Sequence, residues 1–372
     1  MYDIAIIGAG INGCSVAYEC TQEGKSVLLL DKEGIASGGS GAAGAFISPK
    51  FSKAGELKDI LHEAFLYAME YYATKFPNSF TKAQLLHIAK DLDDEEALRV
   101  YKSLTDLELK SVSDAVYETL TKEARGFEYV SLDAGVLNAQ NVCREMCSDA
   151  EFVKEKVQTL LHNGEYWTIN NSYKAKNVVL SIGAYRSVIK EPYIQIRGVW
   201  GHRIDIKTKI TNPYSIHQYV SISPSVEGVV AIGATHNVHY HPQTSEEPYD
   251  FEQGRQELLE KARRTIQLDS VEIVKDYVGL RSGSFDYMPL IGALVDSQKT
   301  LECCEKNIRV KRPNFETFIY HPNLYMINGS GGYGFVLAPY LAKKLTNHIL
   351  HAEPISPTLS PARFFARWAK RR

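Results

Sequence analysis

Gly8-Ala-Gly10-Ile-Asn-Gly13 spaces its glycines as G-x-G-x-x-G. In that spacing the first glycine permits a tight turn and the second lets the backbone approach a pyrophosphate. The third lets a helix pack close to the strand before it. A helix starting at Ile11 points unpaired N–H groups and the positive end of its dipole at such an anion. Asp31, 18 residues beyond Gly13, is placed to accept hydrogen bonds from ribose hydroxyls. Two further glycine-rich stretches follow, Ala36-Ser-Gly-Gly-Ser-Gly-Ala-Ala-Gly-Ala45 and Gly329-Ser-Gly-Gly-Tyr-Gly334. A nicotinamide dinucleotide needs one such stretch; a larger cofactor laid across a sheet uses all of them. Arg281 stands in the apolar, glycine-flanked run Val278-Gly-Leu-Arg-Ser-Gly283. Its guanidinium is a fixed fork that clamps a carboxylate and stays charged. The competing role is an internal salt bridge to Asp286.

The elements that must hold these residues are legible in outline. Tyr2–Gly8 is a continuous apolar run of the kind a buried parallel strand needs. Residues 11–23 read as a helix and Ser26–Asp31 as a second strand, giving one right-handed β-α-β unit. An amphipathic helix is expected over 56–74, and the acids from Asp91 to Glu96 suit a capped helix start. Short strands recur over 151–182, antiparallel alternation runs from 197 to 236, and a helix covers 251–266. A strand at 324–327 leads into the last glycine stretch and a helix over 336–350. The expected fold class is α/β: a Rossmann-like domain interleaved with an α+β domain on a mostly antiparallel sheet. The first takes residues 1–50, 136–195 and 320–355, and the second takes 51–135 and 196–319. A basic stretch, 356–372, follows them.

Composition excludes several classes. With 44% apolar and 23% charged residues in 372, neither disorder nor a fibre is expected. No apolar run approaches the roughly 18 residues of a membrane helix, and Met1 leads into a strand without a basic leader. The expectation is a cytoplasmic protein with reduced thiols and no membrane partner. The six cysteines form no metal pattern, and His236, His239 and His241 lack supporting carboxylates, so no metal is expected. The net charge of −2 hides an asymmetry: residues 363–372 hold five basic residues and no acid.

In this order, these segments resemble the D-amino-acid oxidase/glycine oxidase family of FAD-dependent oxidoreductases. Asp3–Gly10, Asn177–Ala184, Ile196–Val199, Ala231–Thr235 and Val278–Gly292 carry the resemblance over nearly the whole chain. Within it, Ala36-Ser-Gly38, Gly44-Ala-Phe-Ile-Ser-Pro-Lys50 and the ending Leu359–Arg367 are most similar to the oxidase domain of the MnmC group, which acts on tRNA. Two departures stand out. Members of that group carry a methyltransferase domain before the flavin domain, and Ala42-Ala43 stands where they often have Asn-Arg-Gln.

The resemblance implies FAD as cofactor, held by Gly8, Gly10, Ile11, Asn12, Gly13, Asp31, Lys32, Ser37, Gly38, Gly44, Ala45, Val157, Gly183, Arg281, Gly329, Gly331, Gly332, Tyr333 and Gly334. Arg281 and Tyr333 are the implied catalytic pair. Glycine oxidases tend to have another arginine in the loop before the last helix, where this chain has Gly331-Gly-Tyr333, so a pocket open to a bulky N-substituent is expected. The implied reaction oxidises the carboxymethylaminomethyl group of wobble uridine in tRNA, releasing glyoxylate and leaving aminomethyluridine, with a separate methyltransferase as the next enzyme. Lys50, Arg363, Arg367, Lys370, Arg371 and Arg372 are the implied tRNA contacts, salt-sensitive as phosphate contacts are. A small-molecule amine oxidase or dehydrogenase, and a nucleotide-binding scaffold without turnover, are the alternatives.

Overall fold

The computed structural model describes residues 1–52, 55–185, 187–308 and 310–371, omitting the side chains of 304–307. The chain forms two compact units. One comprises Met1–Ser37, Cys143–Gly198 and Arg281–Arg372; the other comprises Gly38–Val142 and Val199–Leu280.

The first unit is built on a sheet ordered Leu290–Val295, Tyr320–Asn328, Tyr173–Leu180, Tyr2–Ile7, Val27–Asp31, Glu151–Lys154. Tyr2–Ile7 lies between two parallel neighbours, and its apolar run is the reason: Ile4, Ala5 and Ile6 have no exposed surface. Burying each isoleucine contributes about 1.5–3 kcal/mol. Tyr320–Asn328 and Glu151–Lys154 extend the parallel set, and Leu290–Val295 closes one edge antiparallel. Five parallel strands therefore end on one side of the sheet, four of them at loops 8–10, 31–37, 181–183 and 329–334. Ligands bind at that side of open α/β sheets. The helices Ile11–Gln22 and Gly334–His351 leave from two of these loops and pack on each other.

The second unit carries a sheet ordered Glu272–Ser284, Ile196–Lys207, Val229–Gly233, Ser221–Ile222, Ser215–His217, Phe80–Ile88, Tyr129–Leu137, Phe46–Ile47. Within it Ile196–Lys207, Val229–Gly233, Ser221–Ile222 and Ser215–His217 pair antiparallel in turn, as do Phe80–Ile88, Tyr129–Leu137 and Phe46–Ile47, while Ser215–His217 runs parallel to Phe80–Ile88. Helix Phe251–Thr265 covers it with Leu258 and Ala262. Asp91 caps helix Leu92–Leu104 as its position suggests, its Oδ1 accepting from the Asp94 N–H at 2.9 Å.

The stretch 356–372, expected as a basic tail, instead contains the helix Ala362–Ala369. Ala362, Phe365, Ala366 and Ala369 recur at helical spacing and are all buried. Phe365 is fully buried, with its ring centroid 5.6 Å from that of Tyr193 and 5.0 Å from that of Phe318. This helix belongs to the core of the first unit.

Candidate active site

The phosphate loop is fixed by sterics. A Cβ on Gly13 would lie 1.9 Å from the Gly8 carbonyl oxygen, and one on Gly8 would lie 2.5 Å from the Ser181 carbonyl oxygen. Gly8 also adopts φ +107°, in the region glycine alone takes without strain. Ser181 closes the loop from the neighbouring strand, its hydroxyl donating to the Gly8 carbonyl at 2.6 Å. Sequence reasoning missed Ser181, although it stands between an apolar strand and Gly183 in a stretch already singled out. Gly10 precedes the helix, and no side chain caps its start. Such an uncapped start is the arrangement that receives an anion.

Asp31 ends its strand and organises the next loop. Its Oδ2 accepts from the Ala9 N–H at 2.9 Å, and its Oδ1 accepts from Glu33 and Gly34 N–H at 2.8 and 3.0 Å. The Ser37 hydroxyl reaches the same oxygen at 3.4 Å. Lys32 lies over the Tyr185 ring, 4.4 Å from its centroid. Gly183 takes φ +63°, and its carbonyl accepts from the Asn328 amide at 2.8 Å. Val157 is a buried core residue beside Leu160 and Trp167.

The first and last of the three glycine-rich stretches meet here. The Ser330 hydroxyl donates to Asn12 Oδ1 at 3.3 Å, and a Cβ on Gly334 would touch Ile11 at 3.4 Å. Gly331–Tyr333 is a 3₁₀ turn that runs directly into the helix Gly334–His351. A Cβ on Gly331 or Gly332 would meet no atom within 4 Å, so space is open above that turn. Gly329 is the reverse: its Cβ would lie 3.0 Å from that of Ser284. Burial pushes the Tyr333 phenol up, keeping it protonated. Gly283 bridges to Ser330, which brings the Arg281 strand alongside this turn. Burial also pushes the Arg281 guanidinium below its ordinary value. The Asp286 carboxylate is not reserved for Arg281, because Arg363 grips both its oxygens at 3.0 Å.

Gly38, Gly44, Ala45 and Lys50 belong to the second unit. Gly38 precedes the short helix Gly39–Ala42, against which Gly279 packs. A Cβ on Gly44 would strike the Phe46 ring, and Ala45 is buried with φ +49°. Lys50 is half-buried. In the same unit His202 is fully buried, its Nε2 2.8 Å from Asp276 Oδ1. His87 and His217 lie in register on adjacent strands; burial pushes them down to about 4 and about 3, so both are neutral.

The expected tRNA contacts separate. Arg363 is largely buried on Asp286, while Arg367 is exposed and 3.6 Å from the same carboxylate. The Lys370 ammonium donates to the Lys311 carbonyl at 3.1 Å, Arg371 is exposed, and Arg372 lies outside the described residues. Elsewhere, Glu191, Asp296 and His321 each bring one ligand-type atom within 4.8 Å of the others. His321 Nε2 already sits 2.6 Å from Glu191, and Lys299 pairs with Asp296 at 3.0 Å. Among the described residues, no helix is long and apolar enough to cross a membrane.

The profile of the DAO family, FAD dependent oxidoreductase, matches residues 3–348. The chain belongs to that family. Its curated relatives include the tRNA 5-methylaminomethyl-2-thiouridine biosynthesis bifunctional protein MnmC of Leptospira interrogans, 24% identical over 98% of this chain and 60% of that protein. The MnmC of Campylobacter concisus is 25% identical over the same shares. The chain thus spans about 60% of the length of these relatives. Among solved structures, glycine oxidase from Bacillus cereus superposes with a TM-score of 0.74 at 17% identity, covering 95% of this chain and 96% of that one. Iminodiacetate oxidase from Chelativorans gives 0.72 at 16%, covering 96% and 98%. These neighbours share the fold.

As an FAD-dependent oxidoreductase, the chain fits its cofactor on its own geometry. The loop that cannot accept a Cβ at Gly8 or Gly13, the uncapped helix behind Gly10 and the open turn at Gly331-Gly332 lie in one unit. Gly8–Gly13 would hold the pyrophosphate, the Asp31 loop the ribose, and the 329–334 turn the ring end. The helix Gly334–His351, which starts at that turn, would offer its positive end to negative charge on a reduced ring held there.

Proposed function

We propose that this FAD-dependent oxidoreductase oxidises the carboxymethylaminomethyl group of wobble uridine in tRNA, leaving aminomethyluridine and glyoxylate. The observation that carries the reading is the juxtaposition of Arg281 with the open Gly331-Gly332 turn through the Gly283–Ser330 bridge. A guanidinium there suits the carboxylate of a glycine unit, and the uncrowded turn leaves room for a large substituent on its nitrogen. The likeness to MnmC over 98% of the chain supports the same substrate class.

Bound FAD supplies a two-electron oxidant for the Cα–H bond. Arg281 clamps the carboxylate through two N–H donors and thereby sets which Cα–H faces the ring. The neutral amine's lone pair moves into the new C=N bond as the hydride leaves. Water adds to that carbon, and the C–N bond breaks to give the primary amine and glyoxylate. Tyr333, protonated and half-buried, contributes a hydrogen-bond donor beside this chemistry. The product amine is then open to methylation by a separate enzyme.

The test is anaerobic flavin bleaching in the purified protein. Carboxymethylaminomethyl-tRNA is expected to bleach the flavin at far lower concentration than glycine, sarcosine or D-amino acids, with glyoxylate formed in equal amount. Bleaching by the small amines and never by the tRNA would replace this reading with that of a small-molecule amine oxidase.

A further inference from the structure

Two large aromatic side chains stand in solvent on one loop of the first unit. Phe285 is 54% exposed and Tyr287 is 66% exposed, between the strands Glu272–Ser284 and Leu290–Val295. Single exposed apolar residues are ordinary, but a clustered pair beside a functional site marks a contact surface. The exposed Arg197 lies between them, its guanidinium carbon 5.8 Å from the Phe285 ring centroid and 5.3 Å from that of Tyr287. Its Nη1 donates to the Tyr287 hydroxyl at 3.5 Å.

The loop that presents these rings is held from beneath. Asp286, the residue between them, accepts from the Ser284 hydroxyl at 3.2 Å and from the Met288 N–H at 3.3 Å. Arg363 grips the same carboxylate with two nitrogens and donates to the Met288 carbonyl at 2.8 Å. Tyr287 takes φ +65°, a left-handed conformation that a bulky residue adopts only when its surroundings impose it. The loop backbone is therefore held in place with both rings exposed, which lowers the ordering cost of binding.

Their location selects the ligand. Gly283, two residues before Phe285, bridges to Ser330 at the open glycine turn, and Arg281 lies two residues further back. A free amino acid would need nothing at this rim. A nucleotide chain has bases on either side of the reacting one, and their faces need partners once unstacked. Aromatic rings interleaved with arginine are the surface that single-stranded RNA uses, with stacking for the bases and charge for the phosphates. A purely apolar partner would have to strip water from Arg197 without compensation.

We propose that Phe285 and Tyr287, with Arg197 between them, form a stacking platform for nucleotides flanking the modified uridine of an RNA substrate. This rests on the tRNA reading above. The test uses the FAD-loaded full chain and a labelled anticodon stem-loop RNA followed by fluorescence anisotropy. The double variant Phe285→Ala/Tyr287→Ala is expected to weaken RNA binding about tenfold or more, since each stacked base contributes measurably. Its flavin absorbance and its bleaching by sarcosine stay unchanged. Tyr287→Phe keeps the ring and is expected to keep the affinity. Arg197→Gln is expected to flatten the salt dependence of binding, because it removes a phosphate contact. Superimposable binding curves for wild type and double variant, with tRNA oxidation intact, overturn the platform and leave the tRNA reading standing. Equal loss in Tyr287→Phe also overturns it, since the hydroxyl rather than the ring then matters. If the wild type bleaches with sarcosine but neither binds the stem-loop nor oxidises tRNA, the substrate reading itself fails and takes the platform with it.

Discussion

The phosphate loop near residue 10 and the helix near residue 365 each carry a conspicuous motif, and they answer to different physics. In the loop, the glycines are required by backbone atoms: 1.9 Å from a Cβ on Gly13 to the Gly8 oxygen leaves no second solution. In the helix, the conspicuous feature is charge, and charge says little about where a side chain points. Arg363 turns inward to Asp286 while Arg367, one helical turn on, stays exposed. What fixes that segment is the quieter pattern of Ala362, Phe365, Ala366 and Ala369, an apolar stripe beneath the basic one. A motif made of steric necessity transfers directly to structure; a motif made of composition does not.

The contrast can be broken by experiment. Gly13→Ala should have the largest effect, because the Gly8 backbone against it cannot yield: purified protein is expected to retain almost no flavin, read as the ratio of visible to ultraviolet absorbance. Normal flavin content would show that the loop is not sterically determined. Phe365→Ala should cost about 3–5 kcal/mol in chemical denaturation, as truncating a fully buried aromatic does. A free tail would lose nothing, so an unchanged midpoint would return residues 362–369 to solvent.

Asp286→Asn should cost about 1–3 kcal/mol at neutral pH by leaving Arg363 without its charge partner. Burial alone would raise the Asp286 carboxyl, but the Arg363 guanidinium, the Met288 N–H and the Ser284 hydroxyl hold it below the usual carboxylate range. A carboxyl lowered in the folded state stabilises above its unfolded value and loses that contribution as pH falls through the folded one. The gap between wild type and Asp286→Asn should therefore close only below about pH 4; a gap that closes already near pH 6 would point to another group. Arg281→Lys is the finer probe. With flavin content unchanged, it should lower kcat/KM for N-substituted glycines by roughly tenfold to a hundredfold, the worth of a lost charged hydrogen bond. Full activity in that variant would remove Arg281 from the carboxylate site.

These differences follow what a sequence can express. The strand Tyr2–Ile7, its loop and its helix were legible because continuous burial and glycine sterics leave marks within a few residues of each other. The strands Phe80–Ile88 and Tyr129–Leu137 were not anticipated; they stabilise each other across a long separation, and neither alone alternates clearly. Arg281 and Tyr333 could be named, yet Ser181 and Ser330, which tie the turns together, could not. A serine's role depends on which carbonyl or amide lies opposite, and that is a property of the fold. Arg197, Phe285 and Tyr287 come from two distant segments, and only the folded chain brings them side by side.

The order of strands in the first unit also has a consequence for how the protein is made. Tyr2–Ile7 is made well before one of its two parallel neighbours, Tyr173–Leu180, and that strand's other parallel partner, Tyr320–Asn328, comes later again. At about 5–20 residues per second, the opening strand waits on the order of 10–30 seconds for the first of these, and longer for the second. Phe365, which closes the same core, emerges later still. The inserted segment between residues 38 and 142 is translated meanwhile. A nascent chain of this design carries an unmatched apolar strand edge from the completion of Tyr2–Ile7 until Tyr320–Asn328 emerges. Its yield in a cell should depend on chaperone capacity and translation speed more than its finished stability suggests.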